Sequence, residues 1–351
     1  MDTRSEAEKL KGPTVVSVSP FPLDPGLAPL LLFDYQHDGE ASGGDTIFLY
    51  SIPKRQLLGR RADGFKGHRY WLTPQGWVLM LHLESHKSFL WNPSTLERIS
   101  LPLDQENLLQ AAEGSMCLLS LKPTDPDCVV LLADLAHELI YYCHAGGNQW
   151  FKHEHEHGQS FKAGLTTLGG KFYAYNIYHK HNQIVTLEFL PYPAFSTRGL
   201  LEDCSPTGYT MFDCCILEGR GELFILSVCY HGISDRHIAR IVVHKLDVSR
   251  GAWLKVDTLG DMVIFFDNCR GYGASFDAHQ LGLRKRDCIY FLMSDDKALY
   301  VYDMKRGTTA MHNPGPSLRD SLVPQFLLPS APIRGLFSTT MYSRFYSDFD
   351  A

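Results

Sequence analysis

One pattern recurs six times along this 351-residue chain: an apolar run drops into a tight polar turn and rises into a second extended segment. It reads IFLYSIPKRQ from residue 47, FLWNPSTLER from 89, IYYCHAGGNQW from 140, VTLEFLPYPAF from 185, VVHKLDVSRGAW from 242 and LYVYDMKRGTT from 299. The apolar runs are rich in β-branched and aromatic residues. Gly, Pro, Asn, Asp and Ser bound them, which is how short antiparallel strands read. Successive copies begin 42, 51, 45, 57 and 57 residues apart. That spacing suits propeller blades of about 40–50 residues with some long loops.

Further strand-like segments gather around each copy, giving sets over residues 29–59, 70–101, 116–153, 164–198, 211–256 and 262–312. The last shows the unit most plainly. Strands are predicted at 262–266, 288–293 and 299–302, and the turn Asp303–Gly307 leads into a polar run at 308–312. The predicted fold is therefore all-β: a β-propeller of six blades, each of four antiparallel strands, over residues 29–330. Residues 1–28 read as a leader ending in the proline-rich SPFPLDPG, and 331–351 as a C-terminal tail. A pair of large β-sandwiches is the competing architecture, and sandwiches seldom repeat one four-strand unit six times. The sequence DQENLLQAAEG at 104–114 has an Asp cap and one apolar face, and predicts a helical excursion between blades. No blade ends in a Trp-Asp dipeptide, and LGGKFYAYN at 168–176 carries a single kelch-like Gly-Gly doublet.

Composition narrows the function classes. Hydrophobic residues at 44% suffice for a large core, and the net charge of −6 offers no bulk attraction to nucleic acid or an anionic membrane. The basic runs KRQLLGRR at 54–61 and RKR at 284–286 read as loop charges in an acidic chain. No apolar run approaches the roughly 18 residues of a membrane helix, and the first residues lack an apolar signal core. Nine cysteines, an odd number, form no C-x-x-C pair, and no N-x-S/T sequon occurs. The expectation is free thiols in a reducing compartment, cytoplasmic or nuclear.

Candidate chemistry is sparse. His153, His155 and His157 of HEHEHG alternate, so a strand would turn all three to one face, and His179 or His181 of YHKH could join them around a metal. The spacing matches no standard zinc pattern, and a solvated strand end explains the same residues; no metal or cofactor is expected. Adjacent Cys214 and Cys215 must face opposite sides of a strand. Cys117, Cys128, Cys229 and Cys288 lie in apolar runs and read as small core residues. No phosphate-cradling loop, H-E-x-x-H helix or G-x-S-x-G elbow is present, so no catalytic residue is assigned. The tail differs in character: Tyr342, Phe345, Tyr346 and Phe349 alternate with small and acidic residues. Exposed aromatics of this kind fold back on the propeller, anchor a partner, or belong to a disordered tail.

The segments LGDMVIFF, GASFDA, RDCIYFL and YVYDMKRGT, in this order over 259–307, resemble the signature of the plant KIB-type β-propellers, a family long described as a domain of unknown function and often fused behind an F-box. LWNPSTLERISLP at 90–102 is similar to a motif of F-box-associated propellers, and PQFLLPS at 324–330 resembles the family's terminal strand. The resemblance implies the propeller fold and a protein-binding role, with no catalytic residues to carry over. Members that act as ubiquitin-ligase receptors carry a helical F-box before the propeller; the short leader here lacks its leucine pattern. The expectation is a non-enzymatic adaptor, inhibitor or decoy, monomeric until it binds a protein partner. The alternatives are a propeller enzyme with a small-molecule site at a channel mouth, and a ligase receptor that has lost its F-box.

Overall fold

The computed structural model describes residues 16–19, 21–33, 46–61, 64–112, 114–135, 137, 139–154, 161, 163–176, 182–201, 204–209, 211–232, 238–293, 297–314 and 324–330. Six sheets make six blades. The first blade holds β1 (Val16–Ser19), β2 (Leu30–Phe33), β3 (Thr46–Ser51) and β4 (Gln56–Arg61). The second holds β5 (His68–Leu72), β6 (Val78–His82), β7 (Ser88–Trp91) and β8 (Arg98–Ser100). Then come β9 (Met116–Leu119), β10 (Val129–Asp134), β11 (Leu139–His144) and β12 (Phe151–Glu154). The fourth blade is β13 (Leu165–Leu168), β14 (Lys171–Asn176), β15 (Gln183–Glu188) and β16 (Ala194–Gly199). The fifth is β17 (Phe212–Gly219), β18 (Glu222–Tyr230), β19 (Ile238–Asp247) and β20 (Ala252–Val256). The sixth has five strands: β21 (Met262–Asp267), β22 (Tyr272–Asp277), β23 (Cys288–Leu292), β24 (Leu299–Asp303) and β25 (Thr308–His312).

Burial is deepest at the second strand of each blade and falls off toward the rim, and the sequence follows it. Second-position strands such as β6, β10, β18 and β21 pack against a neighbouring blade on each face, so they read as unbroken apolar runs rather than alternating ones. Outer strands touch less and turn polar: β12 and β16 are largely exposed, and all five residues of β25 are exposed.

The recurring turn has a common chemistry. At Ser51, Asn92, Asp247 and Asp303 the side-chain oxygen accepts the backbone N–H three residues on, at 3.3, 3.2, 3.1 and 2.9 Å. One residue further, Arg55, Leu96, Gly251 and Gly307 all take positive φ, between 53° and 64°. This is a type I turn closed by a left-handed residue, a common hairpin connection. Two of the four blades place a side chain where glycine is easier. Leu96→Gly is expected to stabilise the protein by about 1 kcal/mol, read as a higher urea midpoint; an unchanged or lower midpoint would count against this account of the turn.

The ring closes with strands distant in sequence. β26 (Gln325–Leu327) becomes the innermost strand of the first blade, pairing antiparallel with β2 through Leu30–Leu327 and Leu31–Phe326. Phe326 is fully buried against Phe265 of the sixth blade, with ring centroids 5.4 Å apart. Ser330 then accepts from Asn92 Nδ2 at 3.0 Å and donates to the Gly76 carbonyl at 3.3 Å, fastening the closing segment to the second blade.

Three details depart from the expected strands. The sixth blade contains β22, where a loop was expected, and β21 pairs parallel with β23 on its other side. Within the expected leader, β1 adds parallel to β4, with Val16 opposite Leu58. Residues 104–112 form linked turns rather than a helix: Asp104 does cap, accepting from Leu108 N and Leu109 N at 2.8 and 3.0 Å, but Asn107 has φ 57° and breaks the run. One short turn cannot meet the cost of helix nucleation. Leu109 and Ala112 are nonetheless buried between the second and third blades, and Trp71 Nε1 donates to the Ala112 carbonyl at 3.0 Å.

Candidate functional site

Innermost strands β5, β9, β13, β17, β22 and β26 all begin on one face, the upper face, and end on the lower one. At the centre of the upper face lies the hairpin between β21 and β22. Asp267, at its base, is 0% exposed and accepts from the backbone N–H of Cys269 and Arg270 at 3.1 and 3.2 Å. Arg270 Nη1 reaches back to the same carboxylate at 3.2 Å. Burial pushes the Asp267 carboxyl upward, while the Arg270 guanidinium and the two N–H groups hold it down. Beside it, Asp213 accepts from Tyr230 Oη at 2.7 Å and Asn268 Nδ2 at 3.0 Å, tying the fifth blade to the hairpin. Tyr272, also fully enclosed, stands 3.3 Å from the Phe326 carbonyl, and burial pushes its phenol well upward.

The axis is bridged at both ends. On the upper face Gly164, just before β13, sits so close to Gly271 that a β-carbon on it would overlap the Gly271 carbonyl oxygen. Leu135, from the third blade, covers the same point, its Cδ1 2.9 Å from where a Gly271 β-carbon would stand. On the lower face Gln75 of the second blade donates to Thr167 Oγ1 of the fourth at 3.1 Å and to the Leu119 carbonyl of the third at 3.3 Å. A shallow groove between the fourth and fifth blades, lined by Ile184, Arg198, Leu200, Leu246, Val248 and Gly251, has no interior room for a water molecule.

The sequence is similar to the KIB1-4 beta-propeller family over residues 49–309, three quarters of the chain. This protein belongs to that family. Among curated proteins no relative matches. Solved structures with a similar course include a chain of a nidogen/laminin complex, 8% identical with a TM-score of 0.45, covering 86% of this chain and 100% of that one. TolB from Acinetobacter baumannii is 12% identical with a TM-score of 0.41, covering 86% of this chain and 67% of that one. An inactive virginiamycin B lyase from Staphylococcus aureus is 12% identical at 0.36, covering 81% and 74%. Likeness at this level carries no argument about function.

In this KIB1-4 propeller the residues singled out from sequence are scattered. His153 lies on β12 with its ring stacked on Phe195, centroids 4.5 Å apart, and Lys152 and Glu154 pair beside it at 2.7 Å. His155, His157, His179 and His181 lie outside the described residues, as do Tyr342, Phe345, Tyr346 and Phe349. Among the described residues no three His, Cys, Asp or Glu side chains gather closely enough for a metal ion. Cys117, Cys128, Cys229 and Cys288 are buried as expected, and all nine cysteines are free. Cys214 turns to Ser227 Oγ at 3.2 Å, while Cys215, on the opposite side, is buried toward Gly271.

The Asp267–Arg270 pair was not among the residues singled out from sequence, although D-N-C-R-G carries the same signal as the recurring turns: an Asp whose oxygen can accept from the next turn's N–H groups. Burial pushes Cys128, Cys229 and Cys288 up to about 11, and Cys117, Cys143, Cys214 and Cys215 upward as well. Cys269 is exposed by surface area, yet crowding at its sulfur and the adjacent Asp267 carboxylate push it up to about 12. Alkylation of the native protein at neutral pH, read by mass spectrometry, is therefore expected to modify Cys269 first, and more slowly than a free thiol. Rapid labelling of any cysteine would mean an activated thiol.

Proposed function

We propose that this KIB1-4 propeller is a non-catalytic protein-binding module, an adaptor, inhibitor or decoy whose partner meets the loops of the upper face and the aromatic residues Tyr342, Phe345, Tyr346 and Phe349 of the tail. The observation that supports this reading best is the bridged axis: Gly164 against Gly271 above, Gln75 across to Thr167 below. A propeller enzyme of the usual kind needs an open mouth where carboxylates or a metal converge on substrate. Here both oxygens of the buried Asp267 carboxylate accept from internal donors, and Asp213 Oδ2 accepts from Tyr230 and Asn268. Loops held on a rigid scaffold suit recognition instead.

The test is affinity purification of the full chain from its source tissue, with a variant carrying alanine at the four tail aromatics. A protein partner retained at near-equal stoichiometry by the wild type, and reduced at least ten-fold by the variant, is the expected result. Retention of no protein, together with turnover of a lactone or glycoside panel, would overturn it.

A further inference from the structure

We infer that the outer edge of the sixth blade, strand β25, is a docking edge for an extended acidic segment of a partner protein, which adds to the sheet as a further strand. The inference rests on the protein-binding reading above and names where and how one contact forms.

A free strand edge invites strand addition, and proteins blunt such edges with charged side chains. The outer strands of the second to fifth blades follow that rule: Arg98 on β8, Lys152 and Glu154 on β12, Arg198 on β16 and Lys255 on β20. β25 does not. It is Thr-Thr-Ala-Met-His, it ends its sheet, and it is exposed along its whole length, Met311 at 63%. Its inner side is secured by five ladder positions with β24, from Leu299–His312 to Asp303–Thr308.

The chemistry around the edge selects the occupant. Ala310 lies opposite Val301 and His312 opposite Leu299, on the side of the sheet that packs toward the first blade. On that side lie Arg55, in the β3–β4 turn between Ile52 and Leu57, and Lys285, in the β22–β23 connection just after Leu283; Ile52, Leu57 and Leu283 pack in one cluster with Leu299 and Val301. Burial first, and then these two cations, disfavour the charged form of His312. No carboxylate among the described residues forms an ion pair with Arg55 or Lys285, whereas their neighbours Arg286 and Arg306 pair with Asp261 and Asp303. On the other side Met311, opposite Tyr300, offers an exposed apolar contact. A strand with alternate acidic residues would place its carboxylates toward Arg55 and Lys285 and its apolar residues toward Met311. Backbone bonds would supply affinity and the alternation specificity.

The experiment uses the full chain and two labelled ten-residue probes, one alternating Glu and Val, the other Lys and Val. Fluorescence anisotropy at low salt is expected to give at least ten-fold tighter binding of the Glu probe. Arg55→Glu with Lys285→Glu should weaken it ten-fold or more. Hydrogen exchange read without any substitution should show residues 308–312 slowed when the Glu probe saturates the protein. Equal binding of both probes, indifference to the charge reversal, or unchanged exchange at 308–312 would each overturn the inference. So would slowed exchange at 308–312 in the probe-free protein that is lost on dilution, or on removing 331–351, since the edge would then belong to a second copy or to the chain's own tail. Failure here with partner capture intact would leave the protein-binding reading standing.

Discussion

Replacing Gly164 by alanine is expected to cost about 2 to 5 kcal/mol, a large part of the ~5–15 kcal/mol that holds a domain folded. Two effects add. Gly164 has φ +73°, where a β-carbon costs about 1–2 kcal/mol. That β-carbon would also overlap the Gly271 carbonyl oxygen, and displacing packed backbone costs about 1–3 kcal/mol more. Gly208 supplies the control: its φ is +84°, and nothing lies within 4 Å of the added carbon. Urea unfolding of both variants separates the terms. Gly164→Ala should be the more destabilised by at least the packing term; equal losses would show that the two glycines do not touch across the axis.

Removing the Asp267 carboxylate is expected to cost a similar amount, about 3 to 5 kcal/mol for Asp267→Ala, because it strands the Arg270 guanidinium and leaves two N–H groups without their acceptor. Asp267→Asn keeps an oxygen for the backbone donors and should lose less. Arg270→Met gives a sharper readout. Without the guanidinium, burial is opposed only by the two backbone N–H groups, and the folded-state pKa of Asp267 rises further above the unfolded value. The folded chain then holds the proton more tightly than the unfolded one, so stability is greatest below the unfolded pKa and falls as pH climbs toward the folded one. Thermal melts from about pH 4 to pH 8 should show this decline in the variant more steeply than in the wild type. Parallel profiles would mean that Arg270 does not govern the ionisation of Asp267.

How legible the fold was depended on where each residue sits. The recurring turn could be read because Ser51, Asn92, Asp247 and Asp303 do the same local job, and local hydrogen bonds leave a local trace. The second-position strands were plain because cover on both faces demands apolar residues throughout. β22 was hidden for the converse reason. It lies so close to β17 that a β-carbon on Gly273 would stand 3.1 Å from Leu217, so the middle of the strand is written in small residues, Gly273, Ala274 and Ser275, that look like a loop. β1 pairs through its backbone with a strand some 40 residues away, a relation no nearby residue announces. At the candidate site Asp267 looks like one more turn residue; only the convergence of blades makes its carboxylate fully buried, where those of Asp247 and Asp303 stay partly exposed.

The antiparallel pairing of β2 with β26 has a consequence for how the molecule is made. Residues 30–33 leave the ribosome almost 300 residues before 325–327, so one side of the first blade waits for its partner through most of synthesis. An apolar strand such as Leu-Leu-Leu-Phe, paired with β3 on one edge but open on the other for that long, is a natural client for a chaperone. Stalled or shortened chains should gather in chaperone-bound form until the last strand arrives, and the ring locks only then.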